Sequence, residues 1–233
     1  MRFVLQQELR EPRNYFAILQ AIAAGKTRLN EIKQATGIEG ATAYLDTLQQ
    51  LRLVERIVPA TETQPQKSRR GVYRLKDHYL RFWFRYVHPN RSQLERGGAQ
   101  IILENKVLPE IDHFSSLTFE EVCQQFFWQS GLSGKLPFVP TNIGNWWNAN
   151  KEVDLVVLGE NDAILVECKW TSKPVGIDIL VDLERKAQLV KPELGDRQIR
   201  FALCSRSGFT SQLIEDAKRL QDVILIDLPA IFG

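Results

Sequence analysis

The chain has 233 residues, 44% of them hydrophobic and 25% charged, an ordinary globular composition that excludes bulk disorder. Its apolar runs, such as 163–166 and 223–226, are far shorter than the ~20 residues a membrane-spanning helix needs. The net charge of +2 hides a split. Residues 1–98 carry 17 Lys/Arg against 9 Asp/Glu, and residues 99–233 carry 13 against 19. Such asymmetry predicts two modules, the basic one suited to a polyanion.

Residues 1–8 lack a long apolar segment, so no secretory leader is expected there and the location expected is cytoplasmic. Residues 14–24 place Phe16, Ile18, Leu19 and Ile22 at helical spacing after Pro12, with Gly25 as a stop. A second helix is expected over 29–35 before Gly37, and a third over 41–51. A strand over 53–58, a polar loop over 61–68 and a returning strand over 71–75 follow. Three short helices and a hairpin make a winged helix-turn-helix pattern. Its wing would offer Lys67, Arg69 and Arg70 to phosphates, whereas the helix over 41–51 is poor in basic groups and gives no support for base reading.

The stretch 76–87 holds Tyr79, Phe82, Trp83, Phe84 and Tyr86. Adjacent Phe-Trp-Phe spans too wide an arc for one exposed stacking stripe, so a buried connecting helix is the expectation. Residues 88–98 are rich in turn formers, and another connecting helix is expected over 101–111. The organisation expected is 1–87 as the winged helix with its aromatic helix, 88–112 as a connector and 113–233 as an α/β domain. In that domain a helix over 117–129 precedes strands at 152–158 and 163–169, a helix over 177–190, a strand at 199–204, a helix over 211–220 and a strand at 223–226. The order implies a central mixed sheet flanked by helices.

Several motifs fail on spacing. Gly25-Lys26-Thr27 lacks the upstream glycine and strand of a phosphate-binding loop. Ser133 lies outside nucleophile-elbow spacing, and His78, His88 and His113 are ten or more residues apart. Cys123, Cys168 and Cys204 have no Cys-x-x-Cys spacing and read as reduced thiols rather than a disulfide frame or zinc site.

What remains is acidic. Glu120 lies on a helix, Asp154 in Lys-Glu-Val-Asp-Leu-Val-Val, and Glu167-Cys168-Lys169 ends an apolar strand. Residues i and i+2 of a strand share a face, so Glu167 and Lys169 point one way and Cys168 the other. Charged groups at the end of an apolar strand are costly to bury unless paired or ligated. Phosphodiester hydrolysis asks for a hard cation on carboxylate oxygens and a charge beside the developing oxyanion. Asp154 and Glu167 would hold Mg²⁺ (or Mn²⁺), with the backbone carbonyl of Cys168 as a third ligand. Lys169 would orient or deprotonate the attacking water and stabilise the negative charge. Glu120 would add a water-mediated or second-metal contact. Glu152 is a rival for Asp154, and a surface ion pair is the plainer alternative.

Asp154, Glu167 and Lys169 in this order resemble the PD-(D/E)XK nuclease superfamily. The wider series of Pro59-Ala60-Thr61-Glu62, residues 69–77, 80–84, 119–121, 143–147, 152–154, 167–170 and 207–210 resembles the C-terminal region of archaeal-type AAA+ ATPases. The resemblance implies a winged helix followed by a restriction-endonuclease-like domain. It also implies nucleic acid, double-stranded DNA in particular, as substrate and an AAA+ ATPase module as partner. Val153 stands where proline often precedes the aspartate, and the ATPase module is missing, so the chain is expected to be a fragment or a free-standing relative. The rival readings are a catalytically silent nuclease-like module and a winged-helix DNA-binding regulator. Trp146-Trp147 is expected to pack over the sheet edge, with base stacking as the alternative.

Overall fold

The computed structural model describes residues 12–220 and 222–233; the reading of residues 1–8 lies outside them. The chain divides into two units. The first is the described part of Met1–Ile57 together with Ser68–Pro109, and the second is Val58–Lys67 together with Glu110–Gly233.

In the first unit, α1 (Pro12–Ala23) opens with its proline at the first helical position and buries Tyr15, Ile18, Leu19 and Ile22. The backbone N–H groups of Thr27 and Arg28 both donate to Glu31 Oε2 at 3.0 Å, which starts α2 (Leu29–Thr36). Gly37, at φ 69°, ends α2 in the left-handed region that only glycine enters freely. α3 (Ala41–Gln50) buries Ala41, Leu45 and Leu48 and leaves Thr42 and Gln50 exposed. β1 (Val54–Ile57) and β2 (Val72–Leu75) pair antiparallel, Val54 opposite Leu75 and Ile57 opposite Val72.

The aromatic stretch is not one straight α-helix. Asp77 caps α4 (His78–Phe82) by accepting the Leu80 N–H at 2.8 Å, and a single π-turn, Trp83–Val87, follows. A π-turn shifts the residues after it around the helix axis. Phe84 and Tyr86 are both buried, Leu80 and Phe84 pack in the core of this unit, and Tyr79 stays exposed. Trp83 stacks on His88 at 4.8 Å. The rings are therefore spent on packing, and they do not form an exposed stacking ladder. Short turns α5 (Arg91–Glu95) and α6 (Ala99–Ile102) continue the connector in helical form.

The second unit is built on a five-stranded mixed sheet in the order β3-β4-β5-β6-β7. The strands are β3 (Asn142–Trp147), β4 (Glu152–Leu158), β5 (Asp162–Lys169), β6 (Gln198–Ser205) and β7 (Val223–Asp227). The first two pairings are antiparallel and the last two parallel. On one face lies α7 (Ile111–Leu132), which buries Phe119, Cys123 and Phe127 at four-residue spacing. α10 (Leu228–Phe232) adds Leu228 and Ile231 to that cluster. The opposite face packs against Leu180, Leu183, Ala187 and Val190 of α8 (Ile177–Leu194) and Leu213 of α9 (Ser211–Arg219). Helices on both sides explain why 155–158 and 163–166 are continuously apolar and buried. Each such Leu, Ile or Val removed from water contributes about 1.5–3 kcal/mol.

Two features correct the expected order. β3 stands ahead of the predicted strands, and its register against β4 shifts between Gly144 and Trp146. Asn, Gly and Trp in that stretch gave no alternating signal. Second, Val58–Lys67, most of the loop between β1 and β2, belongs to the second unit. Ala60 N–H donates to the Asn145 carbonyl and Asn142 Nδ2 to the Ala60 carbonyl, each at 2.8 Å. Thr61 Oγ1 donates to Glu193 Oε2. The segment is thus bound along the β3 edge of the sheet and is not a free polar loop. Trp146 lies in the core, 1% exposed, so it is not available to stack on a base.

Candidate active site

The site forms where β4 and β5 part. Their ladder runs from Leu158 opposite Ala163 to Leu155 opposite Val166. Beyond it the Cys168 N–H donates to the Asp154 carboxylate, at Oδ2, 2.7 Å away. The last residues of β5, Glu167 to Lys169, remain paired with Leu203 to Ser205 of β6. Asp154 and Glu167 thus come from adjacent strands at one end of the sheet, with Lys169 beside them. Glu152, the rival for Asp154, is exposed at the start of β4 opposite Trp147.

Glu167 is buried and both its oxygens are engaged. Lys169 Nζ donates to Oε1 at 2.6 Å, and Lys186 Nζ, from α8, donates to Oε2 at 2.8 Å. Lys186 also lies 3.4 Å from Asp182, one helical turn earlier. Burial raises the Asp154 carboxyl, the Glu167 charge raises it further, and the Cys168 N–H and the two lysines only partly offset this, so it is pushed up to about 7. Burial by itself would lower Lys169. The charge and hydrogen bond of Glu167 and the charge of Asp154 outweigh it, and the ammonium is held above its ordinary value. Lys186 behaves the same way, with burial opposed by its hydrogen bond to Glu167 and the nearby carboxylates.

Glu120 reaches the same region from α7 but meets it through an intermediary. Asn145 Nδ2 donates to Glu120 Oε2 at 3.1 Å and to the Asp154 carbonyl at 2.6 Å. Asn145 sits where the β3–β4 register shifts, a place where an irregularity re-aims a side chain. Of the wing residues, Lys67 and Arg69 are exposed and Arg70 is half-buried. Lys67 falls in the second unit and the two arginines in the first.

Sequence reasoning missed Lys186 and Asn145. Lys186 had a legible signal: it sits within the 180-183-187-190 apolar stripe of α8, where a lysine needs a buried partner. Asn145 had none. The three cysteines also behave differently from their spacing. Cys123, Cys168 and Cys204 are free and buried, and their sulfur atoms all lie within 4.8 Å of one another.

Fold and site together define an α/β protein with an acid–lysine cluster at one end of its sheet. A family model described as DUF234, Archaea bacterial proteins of unknown function, matches residues 83–186. The uncharacterized protein MJECL04 of Methanocaldococcus jannaschii is 34% identical over 232 residues, covering 97% of this chain and 50% of that protein. The chain therefore spans about half the length of the curated relative it matches. Among solved structures, VC1899 from Vibrio cholerae is 15% identical with a TM-score of 0.31, covering 93% of this chain and 48% of that one. Can2 from Sulfobacillus thermosulfidooxidans, in complex with cyclic tetra-adenylate, is 15% identical with a TM-score of 0.33, covering 98% and 53%. At these TM-scores neither structure bears on what this chain does. Among the described residues no helix is long and apolar enough to cross a membrane.

Proposed function

We propose that the second unit hydrolyses nucleic-acid phosphodiester bonds with Mg²⁺ or Mn²⁺ held by Asp154, Glu167 and the Cys168 carbonyl. The observation that carries this is that two carboxylates, Asp154 and Glu167, come from adjacent strands to one end of the sheet with Lys169 beside them. Glu167 is neutralised by two ammonium groups, and Asp154 holds its proton up to about 7 because it is buried and, second, because the Glu167 charge lies beside it. A hard divalent cation would favour the ionised form of Asp154 and takes carboxylate oxygens such as those of Glu167. In an extended strand a residue's N–H and C=O project to the same side, so the Cys168 carbonyl faces β4 as its N–H does.

The bound cation would supply charge neutralisation and a bound water of lowered pKa. Asp154 must lose its proton to ligate. Glu167 must release one lysine. Lys169, being the more exposed of the two, is the one freed to reach a phosphate oxygen. Its raised pKa keeps it an ammonium, which suits it to stabilise developing negative charge rather than to deprotonate water. Lys186 stays behind as the counter-charge of Glu167. Asn145 fixes Glu120 and the Asp154 backbone to each other.

In the same proposal Arg69 and Arg70 of the first unit dock on duplex phosphates, as does Lys67, which falls in the second unit. The protein works in the cytoplasm, beside the AAA+ ATPase module implied by the sequence resemblance. Purified protein with Mn²⁺ or Mg²⁺ should nick plasmid DNA, and Asp154→Ala and Glu167→Ala should not. Unchanged cleavage by both variants would remove the site.

One observation favours a second reading, a catalytically silent module. The Glu167 ion-pair network is complete without a metal. Calorimetry separates the two: Mn²⁺ binding lost in Asp154→Ala supports the nuclease, and no Mn²⁺ binding at all supports the silent module.

A further inference from the structure

The face of β5 opposite Glu167 and Lys169 carries a different chemistry. Cys123 comes from α7, Cys168 from β5 and Cys204 from β6, where Cys168 and Cys204 are direct partners in the parallel ladder. These are all three cysteines of the chain, separated by 45 and 36 positions, yet they meet at one point. Used only as small apolar fillers, they would have no reason to collect. The surrounding cluster, including Phe119, Phe127, Leu155 and Val166, is apolar.

We infer that Cys123, Cys168 and Cys204 form a three-sulfur binding site for a thiophilic d¹⁰ metal ion, of which Cu⁺ is the natural type. At a metal–sulfur distance of about 2.3 Å, trigonal geometry sets the sulfur atoms about 4.0 Å apart. The observed limit of 4.8 Å therefore needs a contraction of less than about 1 Å, within reach of χ1 adjustments. No histidine or carboxylate joins the group among the described residues. A structural zinc site takes four ligands, so three sulfurs alone select against zinc, and soft thiolates select Cu⁺ and ions like it. Binding exchanges the thiol protons for the metal, and these are released to solvent. The ion would tie α7 to β5 and β6 directly behind the carboxylate site, but on the other side of the sheet. It is chemically separate from that site, where a hard cation takes oxygen.

The test uses Cd²⁺ as the probe on the reduced, anaerobic 233-residue chain. One equivalent should give the ultraviolet thiolate-to-cadmium charge-transfer band and raise the melting temperature. X-ray absorption at the cadmium edge should count three sulfur neighbours. Cys204→Ser should weaken binding at least about 100-fold, because losing a direct ligand costs more than the roughly 10–100-fold lost with a partner that only orients one. Cu⁺ in a chelator competition should bind at the same stoichiometry and displace Cd²⁺. A charge-transfer band that is absent, or a cadmium shell of oxygen alone in the unmutated protein, would overturn the site whether or not the variant folds.

Discussion

The two faces of the β5 end make an instructive pair. Glu167 and Lys169 point to the α8 side, and Cys168 between them points to the α7 side. One face buries charge and balances it with two lysines. The other buries sulfur in an apolar cluster and needs no counter-charge. The period of two that separates them also separates their consequences: changes on the charged face should alter chemistry, and changes on the thiol face should alter metal uptake and stability.

The comparison breaks most sharply at Asp154. Asp154→Ala should lower the metal-dependent cleavage rate by at least about 1,000-fold, or about 4 kcal/mol of transition-state stabilisation, measured as initial nicking rate. Cys204→Ser assayed beside it should change that rate by less than about tenfold. Equal losses would mean that the two faces act as one site.

Next in size is the buried ion pair. Lys186→Ala leaves Glu167 with a single ammonium, and should destabilise the fold by about 3 kcal/mol in urea unfolding. Lys186→Met together with Glu167→Met should recover much of that, because it removes the buried carboxylate with its buried ammonium and leaves only Lys169, the more exposed of the two lysines, without that partner. Failure of the double variant to recover would mean that the lysine matters through packing.

A smaller effect carries a definite sign. The folded protein holds the Asp154 proton up to about 7, whereas an ordinary aspartate releases it near 3.8. Between these values the native state binds more protons than the unfolded chain, so this residue makes stability fall as pH rises from about 4 to about 7. Asp154→Asn keeps an acceptor for the Cys168 N–H and removes the charge. It should therefore stabilise the metal-free protein by about 1–2 kcal/mol at pH 8 and by almost nothing at pH 4, read from thermal melts. Mn²⁺ affinity should conversely rise with pH through about 7 in the unmutated protein.

The smallest expected effect concerns the basic residues of the wing. Lys67→Ala, Arg69→Ala and Arg70→Ala combined should weaken duplex binding about tenfold at moderate salt. The slope of log affinity against log salt should fall by up to about 2.7. Cleavage at saturating DNA should be little changed.

Much of the site was legible from the chain. Apolar runs at 155–158 and 163–166 imply strands covered on both faces, and strand periodicity alone puts Glu167 and Lys169 on one side and Cys168 on the other. Helical spacing likewise marks Phe119, Cys123 and Phe127 as one buried stripe. These are local rules, and local rules need only neighbours in sequence. Lys186 was half legible, as a lysine in an apolar stripe, but its partner was not.

What only the tertiary structure decided is which distant groups meet. Strand order brings Cys204 alongside Cys168, and α7 lays Cys123 over both, although no spacing motif joins them. The opening of the β4–β5 ladder delivers Asp154 to the Cys168 N–H, and the shifted register of β3 turns Asn145 toward Glu120. Such encounters depend on sheet order, register and helix placement. Those are set by packing the whole unit at once, so no window of sequence contains them.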